Sequence, residues 1–252
     1  IELEDLIDKR TANLINPSHK QKIVARTSKE YPSGIPPFGT DALRFTFCSL
    51  ASGSRDINFD LKRVEGYRNF CNKLWNASRF IMLQCTKKNL SKVSSKSKED
   101  IWIQIELDKA LGSYSEHIEN YRFDLATQVI YEFVWEVYCD WYIELSKTIL
   151  YSDDKKAQKE VKEVSAYIFK QILVMLHPFI PFVTEEIWLK NKFDKSNKNF
   201  LMYKNWPSGK VKKDQSRKDV EKIINIISEL RSFKNELNVS PGSFVCLLYT
   251  SD

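Results

Sequence analysis

Glycine and proline are scarce, seven and eight in 252 residues. An all-β protein with many tight turns needs more of both, so that class is disfavoured. Cysteine gives no scaffold either: Cys48, Cys71, Cys85, Cys139 and Cys246 contain no C-x-x-C pair and are odd in number. Neither a disulfide framework nor a zinc ribbon fits that pattern. The three histidines, His19, His117 and His177, are too scattered for a helical i,i+4 ligand pair. No run of 18 uncharged apolar residues occurs, so a membrane span is not expected. The charged opening IELEDLIDKR does not read as a signal peptide. Reduced thiols in the cytoplasm are the expectation. Phosphate-loop, dinucleotide and nucleophile-elbow glycine motifs are absent from the sequence. No histidine pairs plausibly with a Cys or Ser nucleophile, and no carboxylate pair stands out. The chain is expected to hold no catalytic residue, no metal and no cofactor of its own.

Apolar residues are plentiful, at 42%, with six Trp, eleven Tyr and fifteen Phe. That suffices for a core, and a charged fraction of 29% is ordinary for a folded chain. The net charge of +6 is unevenly placed. Residues 84–98 carry five Lys and no acid, and residues 201–222 carry seven bases against three acids. Between them, Glu116, Glu119, Asp124, Glu132, Glu136, Asp140 and Glu144 face a single base, Arg122. Solvated loops and helix faces account for each run alone, whereas together they suggest a basic side and an acidic side.

The first 40 residues read as a short helical start followed by the breaker-rich connector EYPSGIPPFGT. Thr40 and Asp41 supply an N-cap for a helix through Leu43, Phe47 and Leu50. Ile57, Phe59 and Leu61 alternate, which suits a short extended piece. From about 62 to 84 the period is helical. Val64, Tyr67, Cys71, Leu74, Trp75, Ser78, Ile81 and Met82 share one arc. Glu65, Arg68, Asn69, Asn72, Lys73, Asn76 and Arg79 share the other, and Phe80 falls among them. An aromatic ring among amides and cations can present a stacking platform to an unpaired base. The same ring could instead pack under a neighbouring helix of a bundle.

Further helices are expected over 102–115 and 119–150, the latter apolar on more than one face and therefore central. Another runs from the Ser152–Lys156 loop to Leu176, ended by His177-Pro178. Thr184 with Glu185 and Glu186 restarts a helix through Trp188. His177 reads as a helix-end residue, and Trp75 and Trp188 as core. The last helix covers about 218–237 and stops at NVSPG, before the β-like SFVCLLYT. The expected fold is mainly α: a connector over 1–62, a helical bundle over 63–207, and a helix–strand junction over 208–252.

The stretch GTDALRFTFCSLASGSRDINFDLKRVEGYRNFCNKLWNASRF (39–80) closely resembles the valyl-tRNA synthetase family. The likeness continues in YRFDLATQVIYEFVWEVYCDWYIELSK (121–147), LHPFIPFVTEEIW (176–188) and RSFKNELNVSPG (231–242), in the family's order. Isoleucyl and leucyl enzymes share the GxDxLR and HPFxPF-like stretches, whereas EGYRNFCNKLWNASRF is valyl in character. The resemblance implies a class I synthetase anticodon-binding bundle, with a small mixed α/β connector before it and an α/β junction after it. It also implies a tRNA(Val) partner and a parent ligase that uses ATP and Mg²⁺ and edits mischarged threonine. The HIGH and KMSKS signatures are absent, and Lys92–Ser97 lies in the wrong place to be the latter. A monomeric fragment without its catalytic, editing and coiled-coil domains, inactive alone, is therefore expected. With the family in view, Phe80 is expected to stack on an anticodon base, while Arg68, Asn72, Asn76 and Arg79 contact base edges or phosphates. Lys62, Arg63 and Lys73 would add attraction to the backbone. Gly39-Thr40-Asp41 would couple anticodon binding to the catalytic domain and touch the inside of the tRNA bend. The rivals are the same domain of an isoleucyl-like synthetase and a helical protein–protein scaffold using the acidic face.

Overall fold

The computed structural model describes residues 1–53, 57, 59–84, 97–191, 193, 200–208, 215–240 and 242–244. Ten α-helices and no strand occur among them: α1 (Leu3–Thr11), α2 (Lys20–Glu30), α3 (Thr40–Leu50), α4 (Leu61–Gln84), α5 (Lys98–Glu119), α6 (Phe123–Glu132), α7 (Ile143–Leu150), α8 (Lys155–Leu176), α9 (Pro181–Asn191) and α10 (Ser216–Glu236). The lysine-rich segment at 85–96, residues 55, 56 and 58 of RDINFDL and the SFVCLLYT segment beyond Phe244 lie outside the described residues. Residues 1–53 hold α1, α2 and α3; the sequence expectation there had included the first of these but not α2.

The central helix is continuous from Phe123 to Leu150, because α6 and α7 are joined by a π-helical stretch, Phe133–Tyr142. Wider turns let that stretch bury Phe133, Val134, Tyr138, Cys139 and Tyr142, which no single α-helical face could align. Tyr121, with φ 56°, breaks the chain between α5 and this helix. One core unites the bundle, from Phe45 on α3 through Phe70 and Leu74 on α4 to Ile168, Phe169 and Ile172 on α8. Two of its buried tyrosine hydroxyls are paired across helices. The Tyr114 hydroxyl donates to the Met175 carbonyl (2.9 Å), and the Tyr142 hydroxyl donates to Asp100 (2.7 Å).

Three sequence expectations are corrected here. Thr40 and Asp41 do not cap α3. The helix begins at Thr40, Gly39 (φ 91°) holds the cap position, and no side chain closes it. Helix α9 begins at Pro181, three residues before Thr184, because a proline at the first helical position has no N–H to leave unpaired. Met82 is exposed, whereas Phe70 and Ala77 are buried. The buried arc of α4 is thus rotated toward the central helix.

The carboxylate of Asp41 instead reaches α9. It accepts hydrogen bonds from the Phe182 N–H (3.3 Å) and the Val183 N–H (2.7 Å). One turn along α3, Arg44 donates from Nε to the Phe179 carbonyl and from Nη2 to the Pro178 carbonyl, both at 3.1 Å. An anion therefore meets the open N-terminus of α9, and a cation meets carbonyls of the preceding turn. His177 and Thr184 close the same turn through a 2.9 Å Nδ1–Oγ1 contact. The Glu185 carboxylate accepts the Leu201 N–H (3.0 Å). GTDALR and LHPFIPFVTEE are thus two halves of one clamp.

Candidate nucleic-acid interface

Asp60 starts α4 by accepting the Lys62 N–H (2.9 Å), an N-cap contact. From there α4 presents a divided surface. Val64, Phe70, Leu74, Ala77, Ser78 and Ile81 are buried, while Glu65, Asn69, Asn72, Asn76 and Arg79 are exposed. Asn72, Asn76 and Arg79 lie within one angular sector, since steps of four and three residues nearly complete a turn each. These three side chains make no hydrogen bond or ion pair with another described residue.

The other three expected contacts are partly engaged. Arg68 pairs with Glu65 (3.3 Å), and its guanidinium carbon lies 5.5 Å from the centre of the Phe38 ring. Lys73 donates to Asp140 at 2.6 Å and sits 3.7 Å from the Trp135 ring centre. Its charge is matched at the bundle surface by a carboxylate of the central helix. Phe80 is half-buried and packs against the core, with part of its ring left in solvent. Arg68, Asn72, Asn76 and Arg79 thus run along the outside of α4, while Lys73 stands at the seam with the central helix and Phe80 is partly packed against the core.

A cleft of about 290 Å³ opens where the connector meets this face. Phe38, Thr40, Asp41, Arg68, Asn72 and Phe182 line it, together with Cys71. Burial pushes the Cys71 thiol up to about 12, aided by the nearby Asp41 charge, so it forms an unreactive wall. Phe182 is 63% exposed, although its backbone N–H is held by Asp41. Sequence reasoning missed it. In LHPFIPFV it looks like one more apolar core residue, and nothing in the run distinguishes an outward ring from an inward one. Trp188 is buried, whereas Trp75 is half-buried and lies under Lys190, 4.8 Å from the ring centre.

Among the described residues no group of three or more His, Cys, Asp or Glu could hold a metal ion. Nor is any helix long and apolar enough to cross a membrane. His177 stays in the turn clamp, and burial holds its imidazole below the ordinary value.

The valine–tRNA ligase of Pelagibacter ubique is 55% identical to this chain over 215 residues, which are 84% of the chain and 24% of that protein. The valine–tRNA ligase of Coxiella burnetii is 42% identical over 260 residues, covering 99% of the chain and 28% of that protein. The chain thus spans about a quarter of the length of the curated relatives it matches. A solved ternary complex of Agrobacterium radiobacter LeuRS with tRNA and LeuAMS shares the fold. Its TM-score is 0.52 at 17% identity, over 78% of this chain and 26% of that one. The family model described as the anticodon-binding domain of tRNA ligase matches residues 100–247, from α5 onward. With more than half its length inside that match, the chain belongs to the family of tRNA ligase anticodon-binding domains.

Proposed function

We propose that this chain reads the anticodon of tRNA(Val) as part of a valine–tRNA ligase, and that the outer face of α4 makes the contact. One observation carries the siting: Asn72, Asn76 and Arg79 form an exposed row without described partners, beside the partly open ring of Phe80. Amides read base edges and a planar guanidinium takes bases or phosphates in pairs of hydrogen bonds. A ring with one side packed and the other open can stack on a base without losing its own position. Lys73, matched by Asp140, braces Trp135 and contributes little to the contact.

The valyl reading is supported by relatives that bear that name at 41–55% identity across most of the chain. No specific observation favours the isoleucyl-like or protein-scaffold alternatives. ATP and Mg²⁺ belong to the parent activity, in which valine is activated and esterified to tRNA and mischarged threonine is hydrolysed. The share assigned to this chain is binding, in a monomeric cytoplasmic protein. A hydrophobic pocket separates valine from threonine poorly, the handicap that editing corrects.

The test is binding of the chain to tRNA(Val) and to an anticodon-swapped tRNA over a salt series. Arg79→Ala and Phe80→Leu are compared with wild type, the latter keeping apolar packing while removing the ring. The expected result is preference for the valine anticodon, reduced by Phe80→Leu by roughly five- to 150-fold, the worth of one stacked base. Equal, purely salt-driven binding of both tRNAs by all three proteins would sink the proposal.

A further inference from the structure

The cleft between the connector and α4 has features that the row at Asn76, Arg79 and Phe80 does not explain. It lies nearer the middle of the helix, at Arg68, Cys71 and Asn72. Asn72 precedes Phe80 by eight residues, about 12 Å along the axis. Two aromatic rings, Phe38 and Phe182, stand in its walls with one guanidinium and one side-chain amide. Asp41, which also lines it, has both carboxylate oxygens committed to the α9 backbone. Glu65, the carboxylate paired with Arg68, is exposed, and a surface pair of that kind exchanges readily for a phosphate.

Phe182 decides what the cleft suits. A large ring left 63% in solvent usually moves, but this one stands on a backbone fixed on both sides. Asp41 holds the Phe182 and Val183 N–H groups, and Arg44 holds the Pro178 and Phe179 carbonyls. The result is an exposed ring on an anchored backbone, in a cleft also lined by an amide with no described partner. We propose that this cleft is a second RNA subsite, taking one unpaired nucleotide with its base against Phe182 and Asn72 and its phosphate toward Arg68. The inference rests on the reading of α4 as an RNA-binding helix and divides that helix into two subsites, one at its middle and one toward its C-terminal end. An aliphatic side chain of another protein fits less well, because Arg68 and Asn72 would lose water without gaining a polar partner.

The experiment titrates a fluorescent tRNA(Val) transcript with the chain and with Phe182→Ala, Phe182→Trp, Asn72→Ala and Arg79→Ala. Melting temperatures serve as the folding control. Phe182→Ala should weaken binding by roughly five- to 150-fold, Phe182→Trp should restore it, and neither should shift melting appreciably. Asn72→Ala should weaken binding while Phe182 is intact. Affinity of Phe182→Ala within about twofold of wild type, with Arg79→Ala clearly weakened, would overturn the subsite and leave the distal contact standing. Equal weakening by Phe182→Ala and Phe182→Trp would also overturn it, since a stacking face accepts either ring. A silent Arg79→Ala with a weakened Phe182→Ala would uphold the cleft and remove the distal contact. Silence of both would end both readings.

Discussion

Asp41 stands in the first turn of α3, yet its carboxylate serves the first turn of α9. A carboxylate bonded to backbone N–H groups at a helix start is a strong, charge-assisted arrangement. Asp41→Asn keeps the shape and removes the charge, so a loss of about 1–3 kcal/mol in urea unfolding is expected. Arg44→Ala should cost a comparable amount. Because both act on one turn, their double mutant should fall short of the sum. His177 in the same turn gives a pH signature. Burial lowers its proton affinity below the ordinary value of 6.5, against the opposing pull of Glu185 and Asp41. Below about pH 6.5 the unfolded chain then binds more protons than the folded one, so stability falls as the pH drops. Unfolding free energies measured from pH 7.5 down to 5.5 should show this slope, and His177→Gln should flatten it.

Among elements, α10 is enclosed only near its start. Its first half packs through buried Ser216 and Val220, with Arg217 bonded to Glu106 (2.9 Å) and Lys98 to Asp219 (2.7 Å). Further along, Ile223, Ile226, Leu230, Phe233 and Leu237 form one exposed stripe, with Ile226 at 57% and Phe233 at 59%. The helix ends in a left-handed Asn238 (φ 53°), with the Val239 N–H donated to the Lys234 carbonyl (2.8 Å). That is a Schellman turn with Asn in glycine's usual place. Since the stripe buries little in this chain, Ile226→Lys should change its melting free energy by no more than about 0.5 kcal/mol. Val220→Ala, nearer the α5 contact and buried, should cost more than that.

At the scale of the whole molecule, the net charge of +6 acts through its distribution. Cations matched internally contribute little to counterion release, whereas unmatched ones set the salt dependence of RNA binding. The slope of log affinity against log salt should therefore fall by about 0.7 to 1 on Arg79→Ala. Lys73→Ala should leave it nearly unchanged, because Asp140 already balances that charge.

Local pattern was enough for much of this architecture. Apolar residues at helical spacing mark α4, α5, α8 and α10, and His177-Pro178 marks the stop of α8, since side-chain period and proline sterics act within a few residues. The motif runs at 39–80 and 176–188 likewise pointed to the family before any fold was known. Periodicity fails where a residue's partner is distant in the chain. Asp41 looked like a local cap because Thr-Asp before an apolar run is one, and its actual partner lies 142 residues away. Lys73 looked free because Asp140 and Trp135 lie on another helix. Nothing in the apolar run around Phe182 marks its ring as exposed. Its outward ring follows from how α9 sits against α3 and α4. Composition and spacing alone therefore determined that this chain is a helical bundle with a polar face on α4. Which side chains on that face remain unmatched was decided by packing, because charge pairing and burial are set by distance in space and not along the chain.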